Sequence, residues 1–216
     1  MRWLALCTLL VVATAARASF FESMVAQLGS IFTTYEEAPY IVEMKYPGYE
    51  KRTYEAKKWV CSEETGRDDR MMPTLFQRLY NYISGQNERK ISMAMTVPVT
   101  TEFTVNCGTE EFAMHQTSEK KYTMCFFIGE HYQTDPPQPN DPTVFIQNRP
   151  EIKIFTRRVG GYLNKEADWL EEAGKLAAVM EQDCRTVSLN HTYWAGYDQP
   201  MKLWFRRNEV WFPAPM

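Results

Sequence analysis

Reactive side chains are few in this sequence of 216 residues, and they stand apart from one another. The three histidines are His115, His131 and His191. None sits in an H-E-x-x-H pattern or near a Cys-x-x-Cys pair, and no two are spaced to share a metal ion, so no zinc site is expected. There is no G-x-S-x-G turn for a nucleophilic serine and no glycine-rich phosphate loop. The acidic pairs Glu36-Glu37, Glu63-Glu64 and Asp68-Asp69 read as solvated surface. The chain is therefore expected not to be an enzyme. What it holds in quantity is soft apolar surface: 12 Met, 12 Phe, 12 Tyr and 6 Trp. Met72, Phe76 and Leu79 recur at helical spacing behind Met71 and share one face. Polarisable thioethers and flat rings suit a flat apolar ligand; the simpler reading is a well-filled core.

Other residues report on compartment. Residues 1–18 follow a secretory-signal pattern: Arg2, an apolar stretch from Trp3 to Ala16, and the small-x-small site Ala16-Arg17-Ala18. Cleavage near Ala18 would start the mature, secreted chain at Ser19 as one domain over 19–216. The apolar run is shorter than the roughly 20 residues a membrane-spanning helix needs, so no membrane span is expected. Without Arg2 and Arg17 there are 22 basic against 27 acidic residues. That balance, with basic residues only in short pairs such as Lys57-Lys58 and Arg206-Arg207, argues against a nucleic-acid partner.

Cys7 leaves with the signal, so Cys61, Cys107, Cys125 and Cys184 remain. An even number in a secreted chain suggests disulfides, and four cysteines allow three pairings. Cys107 and Cys125 flank a candidate hairpin, and Cys61 and Cys184 lie at equivalent places in two halves of the chain, which favours those two bonds. Buried thiols are the alternative. Asn190-His191-Thr192 is the one N-glycosylation sequon, and Asn190 is expected to carry a glycan.

The elements that must position these residues are mostly strands. From Ile91 to Val99, apolar residues alternate with small or polar ones, the pattern of a half-buried strand, with Pro98 marking an edge or bulge. Lys121 to Gly129 alternates likewise through Tyr122, Met124, Phe126 and Ile128, which turns Cys125 away from that face. Pro73 opens a helix carrying Leu75, Phe76, Leu79, Tyr82 and Ile83, and Gly85 closes it. A second helix runs from about Lys165 to Gln182 on a stripe of Trp169, Ala173, Leu176, Ala177 and Met180. An amphipathic helix is expected over Phe20 to Leu28.

The order repeats. Pro47 precedes Trp59 by twelve residues, and Pro150 precedes Tyr162 by the same interval. Each is followed by a helix and two strand-like segments, giving strand-helix-strand-strand twice over about 40–130 and 143–212. The proline-dense stretch Thr134 to Pro142 connects the halves. Pairing two such sheets into a closed or nearly closed barrel would remove exposed edges.

Four segments occur in order: Tyr46-Pro-Gly-Tyr-Glu-Lys-Arg-Thr-Tyr54 with Lys58-Trp-Val60; Met93-Ala-Met-Thr-Val-Pro-Val99; Asp135-Pro-Pro-Gln-Pro139; and Ala195-Gly-Tyr-Asp-Gln-Pro-Met-Lys202 with Arg207-Asn-Glu-Val-Trp211. Together they resemble the SOUL haem-binding protein family from about Tyr40 to Phe212. The resemblance implies an α+β fold, a pseudo-twofold distorted eight-stranded antiparallel β-barrel flanked by two helices. It also implies haem or another tetrapyrrole bound in an apolar groove beside the first helix. By position, the wall would be Met72, Phe76 and Leu79, with Lys202 and either Arg70 or Arg78 meeting the propionates. Some members place a proposed axial histidine where this chain has Thr53, which cannot ligate iron, so binding without a strong axial protein ligand is implied. A secreted, monomeric haem carrier or scavenger is the leading expectation. The alternative is an extracellular protein-interaction module whose groove is vestigial or takes another ligand.

Overall fold

The computed structural model describes residues 35–66, 69–106, 119–198, 202 and 204–215. The signal segment, the helix expected over Phe20 to Leu28, His115 and Cys107 lie outside them. Residues 35–216 form one structural unit.

In chain order its elements are β1 (Glu36–Glu37), β2 (Tyr40–Tyr46), β3 (Tyr49–Tyr54), β4 (Lys57–Gly66), α1 (Met72–Ile83), β5 (Thr96–Val97) and β6 (Val99–Asn106). There follow β7 (Glu119–Phe127), β8 (Val144–Arg149), β9 (Ile152–Val159), α2 (Glu166–Gln182), β10 (His191–Gly196) and β11 (Asn208–Pro213). Nine strands make one antiparallel sheet, ordered β2-β3-β9-β11-β10-β6-β7-β4-β8, curled as a half-barrel; β1 and β5 form a separate parallel pair.

The sheet order carries the duplication. Exchanging β3, β4, β6 and β7 for β8, β9, β10 and β11 and reading backwards returns the same eight-strand order. Each half thus supplies two strands, a helix and two strands, one strand more than the sequence pattern suggests. The outer strand of each half crosses to the other: β3 pairs with β9, and β8 with β4. β2 is the ninth strand, joined to β3 by Pro47-Gly48, where the proline presets one turn residue and Gly48 supplies a φ of +90°.

Period-two alternation divides the sheet between two cores. On one face α1 buries Leu75, Leu79, Tyr82 and Ile83 against Val60, Tyr122, Met124 and Phe126. On the same face α2 buries Ala173, Leu176 and Met180 against Tyr49, Phe155, Val210 and Phe212. The concave face holds Tyr54, Trp59, Cys61, Cys125, Ile154, Tyr193 and Trp211. Fully burying a side chain the size of Leu75 or Leu79 stabilises by about 1.5–3 kcal/mol, so each helix is held chiefly by its stripe. Pro73 stands in the first turn of α1, and Gly85, at φ +108°, turns the chain out after it.

Two expectations are corrected. The alternating stretch Ile91 to Val99 is not one strand: residues 91–95 form no ladder, and strands begin only at Thr96 and Val99. Met93 and Met95 pack on the α1 core, and the Met93 N–H donates to the carbonyl of Ile83, so helix packing produces the alternation. Pro98 offers no N–H and separates β5 from β6. The disulfide joins Cys61 to Cys125, not Cys107 to Cys125 or Cys61 to Cys184. Cys61 and Cys125 are directly opposed in the β4–β7 ladder with Cα atoms 4.1 Å apart, whereas Cys184 is an exposed free thiol. The connector Thr134 to Pro142 is tied down: Tyr82 donates to the Pro137 carbonyl at 2.8 Å, and Arg89 pairs with Asp135 at 2.5 Å.

Candidate functional site

The two helices cover the two wings of the sheet, α1 over β4 and β7 and α2 over β9 and β11. The central strands β6 and β10 pair along the pseudo-twofold axis, where neither helix fully covers them. A groove of about 310 Å³ opens there. Its floor is Val99, Thr101, Met124, Trp194 and Gly196, on neighbouring strands with Thr101 paired to both Trp194 and Met124. Met72 and Phe76 form one wall, and the segment from Leu163 to Glu166 with Trp169 forms the other.

Three rings build a flat slab beneath it. Trp169 stacks on Trp194 at 5.8 Å and 7°, and Trp194 stacks on Phe103 at 5.2 Å and 18°. Near-parallel rings at these distances attract through offset stacking; Trp194 and Phe103 are buried by it, and Trp169 is the ring of the three that keeps exposed surface. The walls are tied together at one end: Asp69 accepts from the Glu166 N–H at 2.6 Å, which satisfies a free donor at the start of α2. Asp168 accepts from the Lys165 N–H at 3.0 Å and completes that cap. Glu166 is itself held by Lys120 at 2.6 Å and by the Tyr122 hydroxyl at 2.5 Å.

The residues expected from sequence do not all meet at the groove. Met72 and Phe76 line the groove. Leu79 is fully buried under α1, one layer below. Arg70 is exposed in the turn Asp69–Met71 beside the groove, while Arg78 turns away to pair with Glu64 at 2.7 Å. Lys202 is held by Asp198 at 2.5 Å, and its carbonyl accepts from the Tyr162 hydroxyl at 2.8 Å. Lys165, Trp169, Trp194 and Met124 are not read as ligand residues from the sequence, which places Met124 on an alternating strand face, Trp169 on a helical stripe and Lys165 at the start of that helix. Thr53 lies on β3 and donates to Glu43 at 2.5 Å. Neither described histidine lines the groove: His131 is exposed in the turn Glu130–Tyr132, and His191 pairs with Glu102 at 2.7 Å. Among the described residues no three His, Cys, Asp or Glu side chains gather to hold a metal ion. Among the described residues, the thioethers of Met72 and Met124 are the only sulfurs in the groove lining.

The concave face is charged instead. Glu209 is fully buried and accepts from Arg52 at 2.9 Å, Tyr197 at 2.8 Å, Trp211 at 3.0 Å and Arg207 at 3.0 Å. Burial would raise its pKa, but the Arg52 and Arg207 charges and these hydrogen bonds hold it below the ordinary carboxylate range. Burial pushes the Tyr197 hydroxyl well up, so it remains a donor. Arg149, also buried, lies 4.3 Å from the centre of the Trp59 ring, and desolvation lowers its pKa.

A family model described as "SOUL heme-binding protein" matches residues 35–213. Heme-binding protein 1 of Xenopus tropicalis is 35% identical over 165 residues, 76% of this chain and 82% of that protein. Heme-binding protein 2 of Homo sapiens is 36% identical over 167 residues, covering 76% and 78%. Among solved structures, the EcmrR C-terminal domain is similar at a TM-score of 0.47 and 11% identity, covering 79% of this chain and 98% of that one; that likeness is too weak to transfer fold or function. With the match spanning nearly all of the sheet and both helices, the chain belongs to the SOUL heme-binding protein family.

Proposed function

We propose that this chain binds haem or a related tetrapyrrole in the groove between α1 and the start of α2, and acts as a secreted carrier and not as an enzyme. The observation that carries the reading is the groove's apolar lining, in which the half-buried Met72, Phe76 and Trp169 face one another over Trp194 and Met124. A flat apolar macrocycle gains by covering such a surface, and the curated relatives bear the name heme-binding protein. Lys165 and Arg70 stand at the rim where propionates would project. Among the described lining residues iron would find no imidazole, and the Met72 and Met124 thioethers would be its soft donors. Secretion is supported by the leader pattern of residues 1–18 and by the exposed Asn190 in its sequon. Titration of the purified protein with hemin, followed at the Soret band, tests the reading: a saturable shift at micromolar protein is expected, and its absence overturns it.

A further inference from the structure

Two buried arginines on the concave face are treated differently by the chain. Arg52, 7% exposed, meets Glu209 at 2.9 Å and Glu50 at 2.8 Å. Arg149 is 9% exposed, and no carboxylate among the described residues stands within ion-pair distance of it. From β8, at the edge of the sheet, it reaches across to β6, where Nη1 donates to the Thr100 hydroxyl at 3.3 Å, its one hydrogen bond. Its guanidinium lies 4.3 Å from the centre of the Trp59 ring and 5.9 Å from that of Tyr193. Glu102 acts on Arg149 through space, but its Oε1 is engaged by His191 at 2.7 Å and by the Tyr193 hydroxyl at 2.9 Å.

A guanidinium keeps its proton inside a protein, and taking that charge out of water is costly enough that buried arginines are almost always paired. Aromatic faces soften the cost without supplying a counter-charge. The Nε and Nη2 groups of Arg149 find no acceptor among the described residues, yet neither is sealed in: the buried side-chain nitrogens without a partner are those of Arg185 and Arg206. Neighbouring N–H groups of a guanidinium form a rigid fork suited to an anion. The counter-charge therefore comes from outside the chain, and the near-complete cover of the side chain restricts it to a small species. Thr100 faces this core, whereas Thr101, next along β6, floors the groove, so the two lie on opposite faces of the sheet.

We infer that Arg149 binds a small monovalent anion, of halide size, on the concave face, with Trp59 and Tyr193 packed beside the guanidinium. The anion gives this half of the face the pairing that Glu209 gives the other. The site does not depend on what the groove binds.

Thermal unfolding of the full chain in sodium chloride, compared with the bulky anion isethionate at equal ionic strength and pH, tests the inference. The midpoint should rise by several degrees with chloride and then level off, because a ligand that binds only the folded chain stabilises it, and Arg149→Met should lose that response. Equal midpoints in the two salts, or an undiminished chloride response in the variant, overturn the inference. Crystals of the unaltered chain grown in sodium bromide give a readout that needs no variant. An anomalous peak beside the Arg149 guanidinium is expected. A guanidinium with no such peak, or one paired instead with Glu102, overturns the inference.

Discussion

The guanidinium of Arg52 lies 2.9 Å from the carboxylate of Glu209, a side chain with no exposed surface, across the concave face of the sheet. The pair is connected outward: Arg52 also meets Glu50 at 2.8 Å, and Arg207 joins Glu209 to Glu37 at 2.8 Å. A buried carboxylate in this setting stabilises only while it is charged and fully paired.

Glu209→Gln should therefore destabilise the fold by about 3 kcal/mol, because it removes the buried counter-charge shared by Arg52 and Arg207 and leaves them only the more exposed Glu50 and Glu37. The folded-state pKa of Glu209 lies below its ordinary value of 4.5, so its contribution is complete above that value and is lost as pH falls through the folded pKa. Thermal melts on a pH series should show an acid limb in the native protein that is flatter in the variant. A variant with the same acid limb would contradict the assignment.

The Cys61–Cys125 bond encloses a separation of 64 residues, and removing it should cost about 2–4 kcal/mol. Denaturant unfolding with and without reductant measures this, and Cys61→Ala/Cys125→Ala should be insensitive to reductant. Peptide mapping under non-reducing conditions should recover Cys61 linked to Cys125, with Cys184 alkylated in the native state.

How far the site was legible depends on the kind of neighbour each residue has. Met72 and Phe76 were readable because their neighbours are three or four residues away on one helix, where spacing implies a shared face. Trp194 and Met124 were not, because they meet the groove only through the β10–β6–β7 registers, set by long-range pairing. Lys165 reads as an ordinary surface lysine until Asp69 ties the start of α2 to the turn before α1. Periodicity found the helices and the duplication. It misread residues 91–95, because a chain packed along a helix alternates its exposure without any ladder. The disulfide was missed for the same reason as Trp194: residues 64 apart become opposite only once the β4–β7 register is known.

Hemin affinity should fall by roughly tenfold in Met72→Ala, the loss of about 1.4 kcal/mol of apolar contact. Lys165→Ala should weaken it several-fold through loss of a propionate partner. Lys202→Ala should cost less, because that ammonium must first leave Asp198. His191→Ala should leave the Soret spectrum unchanged, since His191 is bonded to Glu102 away from the groove. Absorbance titration of the four variants checks the ranking.

Phe205→Gly should raise stability by about 1 kcal/mol by removing the steric cost of the left-handed backbone. Chemical unfolding of the variant measures this. A destabilised variant would show that the Phe205 ring packs within the chain.

Protein collected from the medium of cells expressing the full sequence should begin near Ser19 and carry a glycan that Asn190→Gln removes. Intact mass before and after deglycosylation reads both.

The covalent link between β4 and β7 also bears on misassembly. Each strand divides its residues between two separate cores, with Val60 and Phe126 on one side and Cys61 and Cys125 on the other. A slip of one residue would turn both cores inside out. Because the bond joins directly opposed residues, a partly melted chain retains the correct alignment of these two strands and can zip back from it in either direction. The bond therefore acts as a stored register mark for half of the duplicated sheet, and the other half has no counterpart.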